Sequence, residues 1–229
     1  MKKARRKSTN LSVIRSISDV LTLLEQNSDG LFIYRGEDSA EYTLRPKLGR
    51  SSTDNFAEWS DVELTLFQTF KRKSVPHLTT RPRSELQWLA LAQHHGLATR
   101  LLDWTENPLV ALYFALANYR EERDRVLYCL QTDDFVFIDD SESPFSFSKV
   151  VIHEPIHVSP RITAQRGLFT VHPDPTLEFQ SKHLKRLIIP SKNVIKLLVD
   201  LDSLGINTEA IYPGLEGVAR QANENTLGA

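Results

Sequence analysis

His94-His95-Gly96-Leu97-Ala98-Thr99-Arg100-Leu101-Leu102-Asp103-Trp104-Thr105-Glu106-Asn107-Pro108 is the stretch on which the reading of the chain turns. It packs polar and aromatic groups between two helical patterns. Upstream, residues 84–95 carry Leu86, Leu89 and Ala90 at helical spacing, with Ser84 as N-cap and Gly96 as the stop. Downstream, Leu109, Leu112, Tyr113 and Leu116 predict a helix from Pro108 to about Arg123, capped by Thr105 or Asn107. Trp104 can offer a stacking face to a flat ring. Asp103 and Thr105 can hydrogen-bond just before a helix N-terminus, which itself favours anions. The same residues would also serve as a buried polar knot, with Asp103 as a cap or turn anchor. Adjacent histidines point apart on a helix, and no other His or Cys stands at ligand spacing, so no metal is expected. No serine lies in a nucleophile-elbow context.

Working outward, residues 11–26 read as a helix stopped by Asn27-Ser28-Asp29-Gly30, and Leu31 to Tyr34 as a strand leading into Arg35-Gly36-Glu37-Asp38. Residues 54–73 read as a further helix. Short apolar runs at 126–131, 135–138, 149–152, 156–158, 168–171, 186–189 and 194–199 read as strands. Thr208 to Gln221 reads as a helix pair broken at Pro213-Gly214, with residues 222–229 fraying. Helices early and strands late predict an α+β fold rather than a doubly wound parallel sheet.

The 229 residues, 41% hydrophobic and 25% charged, suffice for one sizeable core. The formal net charge of -1 conceals a basic start (Lys2, Lys3, Arg5, Arg6, Lys7), read as a flexible tail over residues 1–10, and a second basic run at Lys71-Arg72-Lys73. Runs this short read as solvated. The single cysteine, Cys129, excludes an internal disulfide and sits in a strand pattern as a core thiol. No apolar run approaches a membrane span and no signal-peptide pattern follows the basic start, so a cytoplasmic protein is expected. Asp133-Asp134 and Asp139-Asp140 fall in separate turns and read as solvated faces rather than a nuclease centre.

Two further stretches carry chemistry. Arg35 presents a planar fork of donors suited to phosphate or carboxylate, and Gly36 beside it leaves room for close approach; pairing with Glu37 or Asp38 is the structural alternative. In Arg161-Ile162-Thr163-Ala164-Gln165-Arg166-Gly167-Leu168-Phe169-Thr170, Gln165 precedes an apolar strand. It can position a hydroxyl but cannot act as a base.

Together, Tyr34-Arg35-Gly36, the stretch from Gln93 through Asp103-Trp104-Thr105 to Ala115, Arg161 to Thr170, and Ile211-Tyr212-Pro213-Gly214-Leu215-Glu216-Gly217 resemble the FRG domain, over roughly residues 12–220. A domain over 11–221 is therefore expected. The motif order is in turn similar to that of ADP-ribosyltransferases of the Arg/Ser-Thr-Ser/Glu kind. That likeness implies a split β-sheet core with N-terminal helices and a C-terminal helical end, using NAD as co-substrate. It implies that Arg35 binds NAD, that Asp103-Trp104-Thr105 occupies the Ser-Thr-Ser place with Ala111 and Phe114 in the helix behind, and that Gln165 stands where the glutamate belongs. Tyr34, Gly36, His95, Trp104 and Thr105 would complete the NAD pocket.

Asp103 is not a serine and Gln165 is not a glutamate, and a neutral amide stabilises a ribosyl cation less than a carboxylate does. The chemistry would then fall to Asp103, ahead of Glu154 or Glu178. The function this resemblance implies is ADP-ribosyl transfer to a protein or nucleic-acid acceptor by a bacterial toxin or phage-defence effector, a setting that also implies a neutralising partner protein. The alternative is a non-catalytic domain that binds a nucleotide or a partner.

Overall fold

In the computed structural model the described residues are 11–50, 58–116, 118–119, 121–155 and 160–227. The basic tail over residues 1–10 and the strand expected at 156–158 lie outside them. In chain order the elements are α1 (Ile17–Gln26), β1 (Phe32–Glu37), α2 (Trp59–Ser74), α3 (Glu85–His94), β2 (Leu101–Thr105), α4 (Pro108–Ala115), β3 (Arg125–Gln131), β4 (Phe137–Ile138) and β5 (Val151–His153). They continue with α5 (Pro160–Gln165), β6 (Gly167–Val171), β7 (Leu184–Ile189), α6 (Val194–Ser203), α7 (Thr208–Ile211) and α8 (Leu215–Leu227). The class is α+β.

The chain divides into two compact units. The first comprises Met1–Tyr42, Thr105–Asp133 and His183–Ala229. Here β1 pairs antiparallel with β3, β3 pairs antiparallel with β7, and Tyr34 pairs with Thr105 on the other side of β1. One face of this ladder (Tyr34, Leu127, Cys129, Leu187, Ile189) meets Ala111, Leu112 and Ala115 of α4 and Val194, Leu197 and Leu201 of α6 in a single apolar core. Each fully buried valine, leucine or isoleucine among them contributes about 1.5–3 kcal/mol.

The second unit comprises Thr43–Trp104 and Asp134–Lys182. Its β4 and β5 pair in parallel and its β5 and β6 antiparallel. Its own core gathers Phe67 of α2, Leu86, Trp88 and Leu89 of α3, Leu101 of β2 and Phe169 and Val171 of β6.

Local chemistry explains where three of the helices start. The Asp19 carboxylate accepts from the backbone N–H groups of Arg15 (2.7 Å) and Ser16 (2.9 Å), which starts α1 at Ile17. The helix expected from residue 11 is therefore shorter, and its first residues run extended: Val13 bridges Ile188, with Ile14 N–H donating to the Ile188 carbonyl at 2.8 Å. Ser84 caps α3 by accepting from Gln87 N–H at 3.1 Å, and Asn107 caps α4 by accepting from Leu109 N–H at 2.9 Å.

Three expectations are corrected. Residues 194–199, read as a strand, begin α6: Val194, Leu197 and Leu201 face the core at helical spacing, while Ile195 and Val199 lie more than half exposed. The helix expected to reach Arg123 ends at Ala115. Beyond it Asn118 takes a positive φ of 53°, and the buried Arg125 guanidinium donates to the carbonyls of Asn118, Glu121 and Arg123, tying down the turn. At the C-terminus α8 runs on to Leu227, through residues expected to fray, because Gln221 and Glu224 bond back to Thr208 at 3.0 and 2.6 Å.

Candidate functional site

Residues alternate faces along a strand, and β1 shows the consequence. Tyr34 and Gly36 point to the α4 side. Tyr34 is buried, and loss of solvation pushes its phenol above the ordinary value even though it hydrogen-bonds Asn27. Gly36 meets α4 so closely that an added Cβ would stand 1.9 Å from the Ala111 carbonyl oxygen and 2.5 Å from the Ala115 nitrogen. The bare backbone at this position admits a helix. The room expected there for a ligand is filled by α4.

Arg35 and Glu37 point the opposite way. Arg35 donates through Nε (2.9 Å) and Nη2 (2.7 Å) to the same Glu37 oxygen, and both side chains are largely buried. Asp38, the other partner considered for Arg35, is bonded to Arg123 at 3.0 Å. Arg35, expected just past the end of a strand, lies within it, because β1 continues to Glu37 and pairs with β3 along its whole length.

The register adds two residues that sequence reasoning missed. Arg35 is opposite Tyr128 on β3, and Tyr128 is opposite Arg186 on β7. Residues directly opposite share a face, so an Arg-Tyr-Arg row crosses the ladder on the side away from α4. No local motif marks Tyr128 or Arg186; strand pairing alone aligns them with Arg35.

In the second unit, Asp103 is the one exposed residue of β2, whose other four residues are buried. Its carboxylate accepts from Gln93 Nε2 at 2.8 Å, and Gln93 Oε1 accepts from the Thr99 hydroxyl at 2.6 Å. Asp103 is thus a braced, solvent-facing carboxylate within a strand, and the cap belongs to Asn107. Trp104 points inward. Its Nε1 donates to Thr170 (2.9 Å), which is bonded to His172 (2.8 Å), and its ring meets Phe179 edge-on. At 3% exposure the indole is core rather than a stacking face. Thr105 is buried in the first unit and accepts from Asn107 N–H at 3.0 Å.

His95 closes α3 with its ring exposed and edge-on to His94, and Gly96 follows in the left-handed region at φ 85°. Gln165 precedes the strand β6, as its sequence context suggested. It ends the short helix α5, and Arg166, at φ 44°, turns the chain into β6. Glu154 and Glu178 are exposed.

Elsewhere, Arg100 is fully engaged in structure. Its guanidinium is forked onto the buried Glu63 carboxylate (Nε to the two oxygens at 2.9 and 3.0 Å), donates to the Pro144 carbonyl, and lies over the Phe145 and Trp59 rings. Of the basic run at the end of α2, Arg72 and Lys73 are exposed, and Lys71 lies 5.0 Å from the Phe67 ring. Asp140, read as solvated, is partly buried against Gln87 (2.7 Å) and His153 (3.4 Å). Among the described residues no helix is long and apolar enough to cross a membrane, and no group of three or more His, Cys, Asp or Glu could hold a metal ion.

A family model, that of the FRG domain, matches residues 30–124. No curated protein and no solved structure matches the chain.

Proposed function

The chain is an FRG-domain protein, and on that premise we propose that it binds NAD and transfers ADP-ribose to a protein or nucleic-acid acceptor, as a bacterial toxin or phage-defence effector. The observation that carries the reading is the row Arg35–Tyr128–Arg186 on one face of the first unit's ladder. The backbones of Arg35 and Arg186 stand two strand spacings apart, about 10 Å, a span from which two long guanidinium side chains can reach the oxygens of one pyrophosphate, with a tyrosine between them. Arg186 Nη2 also donates to the Ala40 carbonyl. Glu37 fixes the plane of Arg35 before any ligand arrives, which lowers the ordering cost of binding.

In the reaction proposed, the bond from ribose to nicotinamide breaks and its electron pair leaves with nicotinamide. The ribosyl carbon then takes a lone pair from the acceptor, whose proton passes to a carboxylate or to water. We assign that carboxylate to Asp103, which Gln93 holds with one hydrogen bond while the side chain faces solvent. Gln165, a hydrogen-bonding group without charge, is assigned to orienting a hydroxyl.

The test is nicotinamide release from NAD by the purified chain, read by chromatography with and without cell extract. Release is expected. Arg35→Ala should abolish it, and Asp103→Asn should slow it by about 10²–10⁴-fold, the usual contribution of a positioned proton acceptor. No release by the wild type under either condition overturns the transferase reading. A second reading, a non-catalytic nucleotide-binding domain, is favoured by Gln165 ending a helix where a catalytic glutamate would be expected on a strand. Calorimetric binding of NAD without any product would establish it.

A further inference from the structure

We propose that the cavity among α4, α6, α7 and α8 binds an organic cation, a small alkylated ammonium compound held by aromatic rings and the Glu224 carboxylate. This site lies wholly within the first unit and does not rest on the transferase reading. The cavity, partly open to solvent, holds about 550 Å³, the size that takes a small organic molecule, and four aromatic residues, Tyr113, Phe114, Tyr119 and Tyr212, are among those that line it. A ring face is electron-rich and attracts a cation within about 6 Å of its centre. The protein already uses one ring this way, since the Arg220 guanidinium lies 5.0 Å from the Tyr212 centroid.

The charges around the cavity decide the sign of the ligand. Arg220 turns back one helical turn to Glu216 at 2.6 Å, and Glu121 is joined to Arg123 at 2.9 Å, so each of these charges is matched. Glu224 stands one turn beyond Arg220 on α8 and accepts the Thr208 hydroxyl at 2.6 Å. Among the described residues no lysine, arginine or histidine forms an ion pair with it.

The hydrogen bonds fix the direction of the wall. The single Thr208 hydroxyl proton goes to Glu224, so the Tyr113 hydroxyl, 2.7 Å from Thr208, must donate to it. Burial first of all holds that phenol protonated, pushed up to about 12. The relay therefore ends on an anionic acceptor among aromatic rings. An alkylated ammonium group sheds its weak hydration shell more cheaply than a metal ion or a primary amine, so an aromatic-lined cavity selects it.

The test titrates choline into the full chain by calorimetry, with 3,3-dimethylbutan-1-ol as its neutral isostere and tyrosine ring resonances as a second readout. Choline is expected to bind at least about tenfold more tightly than the alcohol. Glu224→Gln keeps a carbonyl oxygen for Thr208, so the fold is retained (checked by circular dichroism), and it should weaken choline about tenfold. Tyr212→Leu should weaken it similarly. Failure of choline to bind at tens of millimolar, equal binding of the neutral isostere, or an unchanged affinity in folded Glu224→Gln would each overturn the proposal.

Discussion

Gly36→Ala separates two explanations of the Tyr34-Arg35-Gly36 motif. If the glycine exists to admit α4, alanine must push helix and strand apart. The added methyl would lie 1.9 Å from the Ala111 carbonyl oxygen, 2.5 Å from the Ala115 nitrogen and 2.9 Å from the Ala115 Cβ. Restoring ordinary contact requires a relative shift of about 1.5 Å between two backbones. Neither atom met first belongs to a side chain that can rotate away. Overpacking in a core costs about 1–3 kcal/mol, and with backbone on both sides the upper end applies. A loss of about 3 kcal/mol is a large share of the 5–15 kcal/mol typical of a folded domain. For a chain of this length it corresponds to a melting temperature lower by about 6–12 °C. The assay is thermal and urea unfolding followed by far-ultraviolet circular dichroism, with Gly167→Ala as the control. The nearest atom to an added Cβ at Gly167 is 4.0 Å away, so the control should stay within about 0.5 kcal/mol of wild type. The packing argument is refuted if Gly36→Ala is as stable as Gly167→Ala. Retained stability with lost NAD binding would return the glycine to the ligand.

The other predictions concern buried groups. Glu63→Gln leaves the Arg100 guanidinium buried without its counter-charge, and should cost about 3–5 kcal/mol in urea unfolding, toward the lower end because the Phe145 and Trp59 rings still face the cation; a loss under about 1 kcal/mol would contradict it. Stability should decline on the alkaline side. Burial raises Cys129 from 9.0 to about 11 and Tyr113 from 10.0 to about 12, so the unfolded chain releases these protons first. The contribution of these two groups is fully present below about pH 9 and is lost progressively between pH 9 and 12. Tyr113→Phe should flatten the upper part of that decline and Cys129→Ala the lower part. By the same burial, native Cys129 should resist a thiol reagent at pH 8 and react once the chain is unfolded in urea.

Sequence by itself determined what short-range chemistry controls. Ser84 and Gly96 bound α3 because a hydroxyl acceptor starts a helix and a residue free to take φ 85° ends one. The strands at 126–131, 168–171 and 186–189 were legible because a buried strand shows as an unbroken apolar run. The same rule failed at 194–199: six residues of mostly apolar sequence fit either period, and only the core beneath Val194, Leu197 and Leu201 selects the helix. Side-chain direction was likewise open. Nothing local tells whether Trp104 turns to solvent or to Thr170, or whether Gly36 faces a ligand or α4. Strand register, a long-range property, lines up Arg35 with Tyr128 and Arg186, and the packing of α8 on Thr208 builds the aromatic cavity from residues more than ninety positions apart. The motif named where the chemistry was to be sought; contacts between distant segments decided which of its residues, such as Asp103, face solvent and which, such as Trp104 and Gly36, hold the fold.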